Sequence, residues 1–148
     1  MKLIIFFVIL SGSLLSAPYE DKGDGTVLDI ATKLLWQKCG DGQNELTCEG
    51  KGVQNNWSNA GIYCAQLKLA GKQWRLPTKE EIFGLLDLSQ PKDPYIDGTA
   101  FPNTIGYRYW SNTPYVKNPS VVWTTHFYYG EEKRSKKEEK GYVRCVTK

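Results

Sequence analysis

The stretch Trp74-Arg75-Leu76-Pro77-Thr78-Lys79-Glu80-Glu81 decides the fold, because it combines an extended link with the start of a helix. Pro77 biases the preceding Leu76 towards an extended conformation. Thr78 and Glu81 have the spacing of a capping box, in which each side chain satisfies a backbone N–H at the helix start. The stretch therefore predicts an extended segment followed by a helix that begins at Thr78.

The residues around this helix start have structural roles that can be anticipated. Trp74 is expected to anchor the link by burial, and Arg75 to pair with a carboxylate or with backbone carbonyls. The apolar face of the predicted helix consists of Ile82, Phe83, Leu85 and Leu86. We interpret the stretch as a segment that sets the fold rather than as a binding site.

Another helix is predicted upstream, from about residue 56 to residue 69. Asn56 is a favoured N-cap residue, and Ala70-Gly71 supplies a stop at the C-terminal end. Four residues recur at helical spacing and form one apolar stripe: Ala60, Tyr63, Cys64 and Leu67.

Short strands are predicted on both sides of these helices. Residues 21–29 have the pattern strand, tight turn, strand, with Asp-Gly as the turn signal, and residues 34–37 follow as another strand. Near the C-terminus, residues 121–129 and 141–146 are predicted strands. The charged segment 131–140 between them is interpreted as a solvated hairpin tip.

Length and composition limit the class of protein. The chain has 148 residues, of which 41% are apolar and 24% charged, which is a globular composition. The formal net charge of +3 is too weak to indicate a nucleic-acid partner. A multidomain enzyme, a membrane bundle and a coiled coil are excluded on these grounds.

Residues 1–17 are predicted to be a signal peptide, which leaves residues 18–148 as a single domain. A basic start, an apolar run over residues 3–10 and a small-residue exit are typical of secretory leaders. The apolar run breaks at Ser11-Gly12 and is too short for a membrane span. We expect the mature chain to have no transmembrane segment and to be exported to the periplasm, the outer surface or the medium.

The four cysteines fit an exported domain, in which an even count usually forms disulfides. Three pairings are open. Cys39 and Cys48 bracket a polar loop that a local bridge could staple, and Cys64 and Cys145 would then tie the first helix to the last strand. A zinc site is disfavoured, since there is no Cys-x-x-Cys pair and only one histidine.

Four segments in order resemble a known bacterial family: 24–27 with 36–37, 74–78 with Glu81, 109–113, and 143–146. The family is named for the C-terminal domain of the Legionella collagen-like adhesin, and the resemblance extends from about Tyr19 to Val146. It implies a C-type-lectin-like α+β fold in which two helices flank small antiparallel sheets. A bridge from the first helix to the last strand is typical of that fold, which supports pairing Cys64 with Cys145.

An enzymatic function is not predicted. The Trp-Arg-Leu-Pro-Thr segment also resembles formylglycine-generating enzymes, but these need a reactive cysteine pair near the C-terminus, and Cys145 has no neighbouring cysteine. The only histidine, His126, lies opposite Trp123 and Phe127 in strand alternation, on what should be the wetter face. We interpret it as a structural or surface histidine.

Calcium is the one cofactor that the sequence brings into consideration. Asp21, Asp24 and Asp29 bracket glycine-containing turns, and carboxylate oxygens are ligands that calcium prefers. Their spacing departs from an EF-hand loop. Gln90-Pro91-Lys92 and Trp110-Ser111-Asn112 likewise depart from the triplets of calcium-dependent lectins. The favoured alternative is a hairpin turn with solvated aspartates.

Candidate ligand contacts come from basic and aromatic residues. The one basic cluster is Lys133, Arg134, Lys136 and Lys137, which could bind a sulfated polysaccharide or could simply be solvated. Trp36, Trp74, Trp110 and Trp123 are predicted to be core residues. The tyrosines include the surface candidates, and Tyr107 and Tyr128 are selected as ligand contacts.

The leading hypothesis is an exported, non-enzymatic binding domain for a polysaccharide or for a host or matrix protein. An adhesin-like, carbohydrate-binding role follows from the resemblance. The alternative is a structural or assembly module of the bacterial envelope without a small ligand. An enzyme similar to formylglycine-generating enzymes is the least favoured hypothesis.

Overall fold

The computed structural model describes residues 18–148, which form seven strands, two short α-helices and one 3-10 turn. The predicted signal peptide, residues 1–17, lies outside the described residues. The helices are α1 (Trp57–Gln66) and α2 (Lys79–Phe83). The strands are β1 (Tyr19–Asp21), β2 (Thr26–Asp29), β3 (Leu35–Gln37), β4 (Arg108–Tyr115), β5 (Asn118–His126), β6 (Glu131–Lys136) and β7 (Val146–Thr147).

The strands form two antiparallel sheets, which confirms an α+β domain. One sheet has the strand order β1-β2-β3-β7, with Trp36 opposite both Val27 and Val146. The other sheet has the order β4-β5-β6. Because β7 pairs with β3, the end of the chain lies beside strands formed near its beginning.

The first helix begins where the sequence predicts and ends earlier. The Asn56 side chain caps it by accepting a hydrogen bond from the backbone N–H of Asn59, at 2.9 Å. The helix ends at Gln66, so the predicted end at Leu69 is wrong. Leu69 instead begins a separate 3-10 turn, where its carbonyl accepts a hydrogen bond from the indole of Trp74, at 2.9 Å.

The capping box at the second helix is present as predicted. The Thr78 hydroxyl accepts from the Glu81 N–H at 3.2 Å, and the Glu81 carboxylate accepts from the Thr78 N–H at 2.7 Å. The same carboxylate accepts two hydrogen bonds from Arg75, at 2.7 and 2.9 Å, which lower the pKa of Glu81. Ile82 is buried, whereas Phe83 is exposed and does not contribute to the core.

Two apolar clusters form the core. One contains Trp36, Ile82 and Phe127, and the other contains Trp74, Trp110 and Val143. Three of the four predicted core tryptophans, Trp36, Trp74 and Trp110, are therefore confirmed. Trp123 is only half-buried, because the long side chains of Lys79 and Arg134, rather than core residues, lie over its ring.

Both predicted disulfides are present. Cys39 is bonded to Cys48, and Cys64 is bonded to Cys145. The second bridge connects α1 to the residue before β7 and closes a long loop, with a sequence separation of 81. In the chain-entropy model, a closure of that length stabilises a protein by about 4 kcal/mol.

Arg144 is fully buried beside this bridge. One terminal nitrogen donates to the carbonyl of Gln37 at 2.9 Å and to the carbonyl of Lys38, and the other donates to the Thr104 hydroxyl at 3.0 Å. Its guanidinium lies 4.9 Å from the ring centre of Phe101. Burial lowers the pKa of Arg144, and the three acceptors stabilise the charge without an ion pair among residues 18–148.

The charged segment 131–140 is not a hairpin tip, which corrects the sequence interpretation. Its first six residues form β6, which pairs with β5 from His126 opposite Glu131 to Val121 opposite Lys136. The turn lies earlier, where Gly130 has a φ of 67°. Charged residues are compatible with an edge strand, because they discourage pairing with other chains.

Substitutions in the decisive stretch should differ sharply in cost. Thr78→Ala removes one cap and should lower the free energy of unfolding by about 1 kcal/mol. Trp74→Ala removes a buried ring and its hydrogen bond and should cost about 3–5 kcal/mol. Urea denaturation measures both, with the exposed Lys72→Ala as the control. Equal losses for the two variants would contradict this account of the stretch.

Candidate functional site

The predicted basic cluster is divided by strand alternation. Along β6, Lys133 lies on the same face as buried Ser135, and Arg134 and Lys136 lie on the other face. Lys137 follows the strand, with its ammonium 4.3 Å from the ring centre of Trp57. The four residues therefore do not form one continuous patch.

A cavity of about 280 Å³ lies at the edge strand β6 and is lined by residues from both faces of it. It brings together two of the predicted ligand contacts, Lys133 and Arg134, with residues that the sequence did not single out for binding. Its lining consists of Arg108, His126, Tyr129, Lys133, Arg134, Ser135 and Glu139. We call it the first cavity.

Arg108 organises the first cavity. Its guanidinium donates to the Ser135 hydroxyl at 3.1 Å, to the Glu139 carboxylate and to the Tyr107 hydroxyl at 3.1 Å. Its Nε is buried and has no partner in the described part of the chain. Tyr107, predicted as a ligand contact, does not line the first cavity. Its hydroxyl accepts from Arg108, and its ring packs edge-on against that of His126.

His126 is buried, so its predicted place on the wetter face is wrong. Its side chain does lie opposite that of Phe127, but it is only 8% exposed because the rings of Tyr107 and Tyr129 cover it. Its Nδ1 has no hydrogen-bond partner among residues 18–148. Burial, followed by the charges of Arg108 and Lys133, lowers the pKa of His126 below its ordinary 6.5, so the ring is neutral at pH 7.

Two exposed tyrosines stand at the turn between β5 and β6. Tyr128 is exposed as predicted, but it does not line the first cavity. Tyr129, 60% exposed, does line it, and the Lys133 ammonium lies 5.1 Å from its ring centre. The adjacent aromatic pair before Gly130 was the available signal for this position.

A second cavity, of about 350 Å³, adjoins the first one along β6. The two cavities share Arg134 and Glu139. The Arg134 guanidinium lies 4.6 Å from the ring centre of Tyr115 and 5.8 Å from that of Trp123. The remaining lining of the second cavity consists of Tyr115, Asn118, Val121 and Lys136.

The three aspartates considered for calcium are each engaged in their own turns. Asp21 accepts hydrogen bonds from the Gly23 N–H and the Lys38 ammonium. Asp24 accepts from the backbone N–H and the hydroxyl of Thr26. Asp29 accepts from the backbone N–H groups of Ala31 and Thr32. Within residues 18–148, no three histidine, cysteine or acidic side chains converge to hold a metal. The structure does not bring the three aspartates together as a calcium site.

Fold and cysteine pairing define a small, disulfide-bonded α+β domain whose second sheet has the charged strand β6 at its edge. The family model described as the Lcl C-terminal domain matches residues 25–147, and the chain belongs to that family. The resemblance seen in the sequence is thereby confirmed, and it indicates an adhesin-like domain. A search of curated proteins found no significant match. In the described residues, no helix is long and apolar enough to span a membrane.

The protonation of His126 can be measured directly, because it is the only histidine. We expect its proton NMR titration midpoint to lie below 6.5. The folded state binds this proton less readily than the unfolded state, so the associated stability is complete above the unfolded pKa and is lost as the pH falls towards the folded pKa. His126→Gln should remove that part of the pH dependence. A midpoint at or above 6.5 would contradict the burial argument.

Proposed function

We propose that this chain is an exported, non-enzymatic binding domain that recognises an acidic polysaccharide through the two adjoining cavities at β6. One observation carries the proposal. The combined lining has four cations and two tyrosines against a single carboxylate, that of Glu139. Cationic side chains bind sulfate and carboxylate groups, and exposed tyrosine rings can pack against the apolar faces of sugar rings.

Two of the four cations that line the cavities are not engaged by any carboxylate that the structure describes. Arg108 is paired with Glu139, and Lys133 with Glu131. Arg134 and Lys136 form no ion pair with any residue of 18–148. Their charge is therefore available to an anionic ligand, and the planar guanidinium of Arg134 can bind such a group with two hydrogen bonds.

The non-enzymatic part of the proposal is supported by the state of the reactive side chains. All four cysteines are bonded in disulfides, so none is available as the nucleophile of a formylglycine-generating enzyme. His126 is covered by tyrosine rings and has no hydrogen-bonded serine or cysteine partner in the described part of the chain. Export is supported by the two disulfides, which persist in oxidising compartments.

The fold is proposed to be C-type-lectin-like. The bridge from the first helix to the residue before the last strand, and the antiparallel pairing of β7 with β3, support this assignment. We propose that ligand binding does not require calcium. A host or matrix protein with an acidic surface is the second candidate ligand, because the same unpaired cations would bind its carboxylates.

Removing the two unpaired cations should weaken polysaccharide binding. The Arg134→Ala, Lys136→Ala double variant should bind dextran sulfate roughly tenfold more weakly at low salt, which corresponds to about 1.4 kcal/mol. Surface plasmon resonance measures this, with Lys51→Ala, Lys68→Ala as a control of equal charge. Equal losses in both double variants would indicate general attraction by net charge and would contradict a site at β6.

Chelation tests the independence from calcium. Excess EDTA should leave the dissociation constant for the same polysaccharide unchanged, because cationic side chains rather than a metal hold the anion. Calcium added back after dialysis serves as the control. Loss of binding in EDTA that calcium restores would contradict a metal-free site.

A further inference from the structure

We propose that the first cavity holds a single acidic sugar residue and that His126 and Glu139 recognise its hydroxyl groups. This inference rests on the proposed function and deepens it. It distinguishes recognition of a sugar from attraction of any polyanion. It also assigns ligand contacts to two residues that were not selected from the sequence.

Glu139 carries the first step of the argument. It is the only carboxylate in the lining of either cavity. One of its oxygens, Oε2, accepts from Arg108, and the other has no partner in the described residues. A ligand with negative charge alone would be repelled by that free oxygen. A sugar has hydroxyl groups that can donate to it, so the carboxylate favours a hydroxylated ligand.

His126 supplies the complementary donor. It lines the first cavity, is 8% exposed, and its Nδ1 is buried without a partner. The nitrogen that can face the cavity is therefore Nε2. A neutral imidazole carries one N–H, and placing that N–H on Nε2 avoids an unpaired buried donor at Nδ1. His126 can then donate one hydrogen bond to a hydroxyl or ring oxygen.

The size and walls of the first cavity fit one ring. Its volume of about 280 Å³ lies just below the roughly 300–1,000 Å³ of pockets for drug-sized ligands. Tyr129 forms an aromatic wall whose ring centre is 4.5 Å from that of His126. A pyranose ring can place its apolar face against Tyr129 and its hydroxyl groups against the polar residues.

Arg134 is the group that would bind the acid of such a residue. Among the cations of the first cavity, it is the one without an ion pair in residues 18–148. Arg134 also lines the second cavity. If the acidic group of one sugar residue binds Arg134, the next residue of the polysaccharide can therefore lie in the second cavity. The arrangement therefore suits one residue of a longer acidic chain.

The experiment compares small probes on the mature chain by NMR. The probes are methyl glucuronide, a 6-sulfated methyl glucoside, neutral methyl glucoside, propionate and inorganic sulfate. The imidazole proton of His126, the only histidine, reports on the cavity without ambiguity. At least one of the two acidic sugars should shift this signal and bind about tenfold more tightly than neutral methyl glucoside, propionate and inorganic sulfate. The comparison of those two sugars distinguishes a carboxylate from a sulfate as the acidic group.

Variants separate sugar recognition from charge. Glu139→Gln should reduce the preference for the acidic sugar over propionate or sulfate about tenfold, because the free carboxylate oxygen and its repulsion are lost. His126→Phe keeps an aromatic ring in place but removes the donor, and it should weaken sugar binding as measured by backbone amide shifts of residues 131–135. Tyr129→Ala should weaken binding, and the neighbouring Tyr128→Ala is the matched control.

Three outcomes would overturn the inference. The first is propionate or sulfate binding as tightly as the acidic sugars. The second is sugar binding that is unchanged in both Glu139→Gln and His126→Phe. The third is acidic sugars that bind without shifting His126. If dextran sulfate still binds at Arg134 and Lys136 in any of these cases, the proposed polysaccharide function stands and only the sugar-recognising cavity is rejected.

Discussion

The Cys64–Cys145 disulfide is the constraint on which the rest of the structure depends. It attaches the end of the chain to α1, and its neighbours attach the same segment to the first sheet. Arg144 donates to two carbonyls at the end of β3, and the Cys145 N–H donates to the Gln37 side chain at 3.0 Å. Val146 then exchanges two backbone hydrogen bonds with Arg75, at 2.9 and 3.1 Å. One short segment thus connects the first helix, the first sheet and the link before α2.

The cavities at β6 are positioned by this same C-terminal segment. Before reaching Cys145, the chain passes along β4, where the Tyr142 N–H donates to the Arg108 carbonyl at 2.9 Å and its carbonyl accepts from Trp110 at 3.1 Å. That path brings Glu139 against Arg108, and Arg108 in turn holds Tyr107 and Ser135. The arrangement of the first cavity is therefore a consequence of how the chain end is held.

The residues that identify the family and the residues that line the cavities serve different purposes. Trp74, Thr78, Trp110 and Cys145 are buried or make caps and bridges, so they determine the fold. The residues that line the cavities, such as Arg134 and Glu139, lie outside those segments, on an edge strand and a loop. Membership in the Lcl C-terminal domain family thus informs the architecture, and the ligand must be argued from the cavities themselves.

Local signals in the sequence determined the starts of both helices and the N-terminal strands, whereas the pairing of Cys64 with Cys145 was supported by the resemblance to the family. A cap or a tight turn depends on residues within a few positions of each other, so it can be recognised without the rest of the chain. Tertiary structure alone decided the early end of α1, the conversion of residues 131–136 into β6 and the burial of His126 and Arg144. Pairing with β5 makes the charged segment a strand, and the carbonyl of Gln37, which accepts from buried Arg144, lies 107 positions earlier in the chain. Charge and hydropathy of the residues themselves predict exposure for such positions, and only the distant partner makes burial favourable.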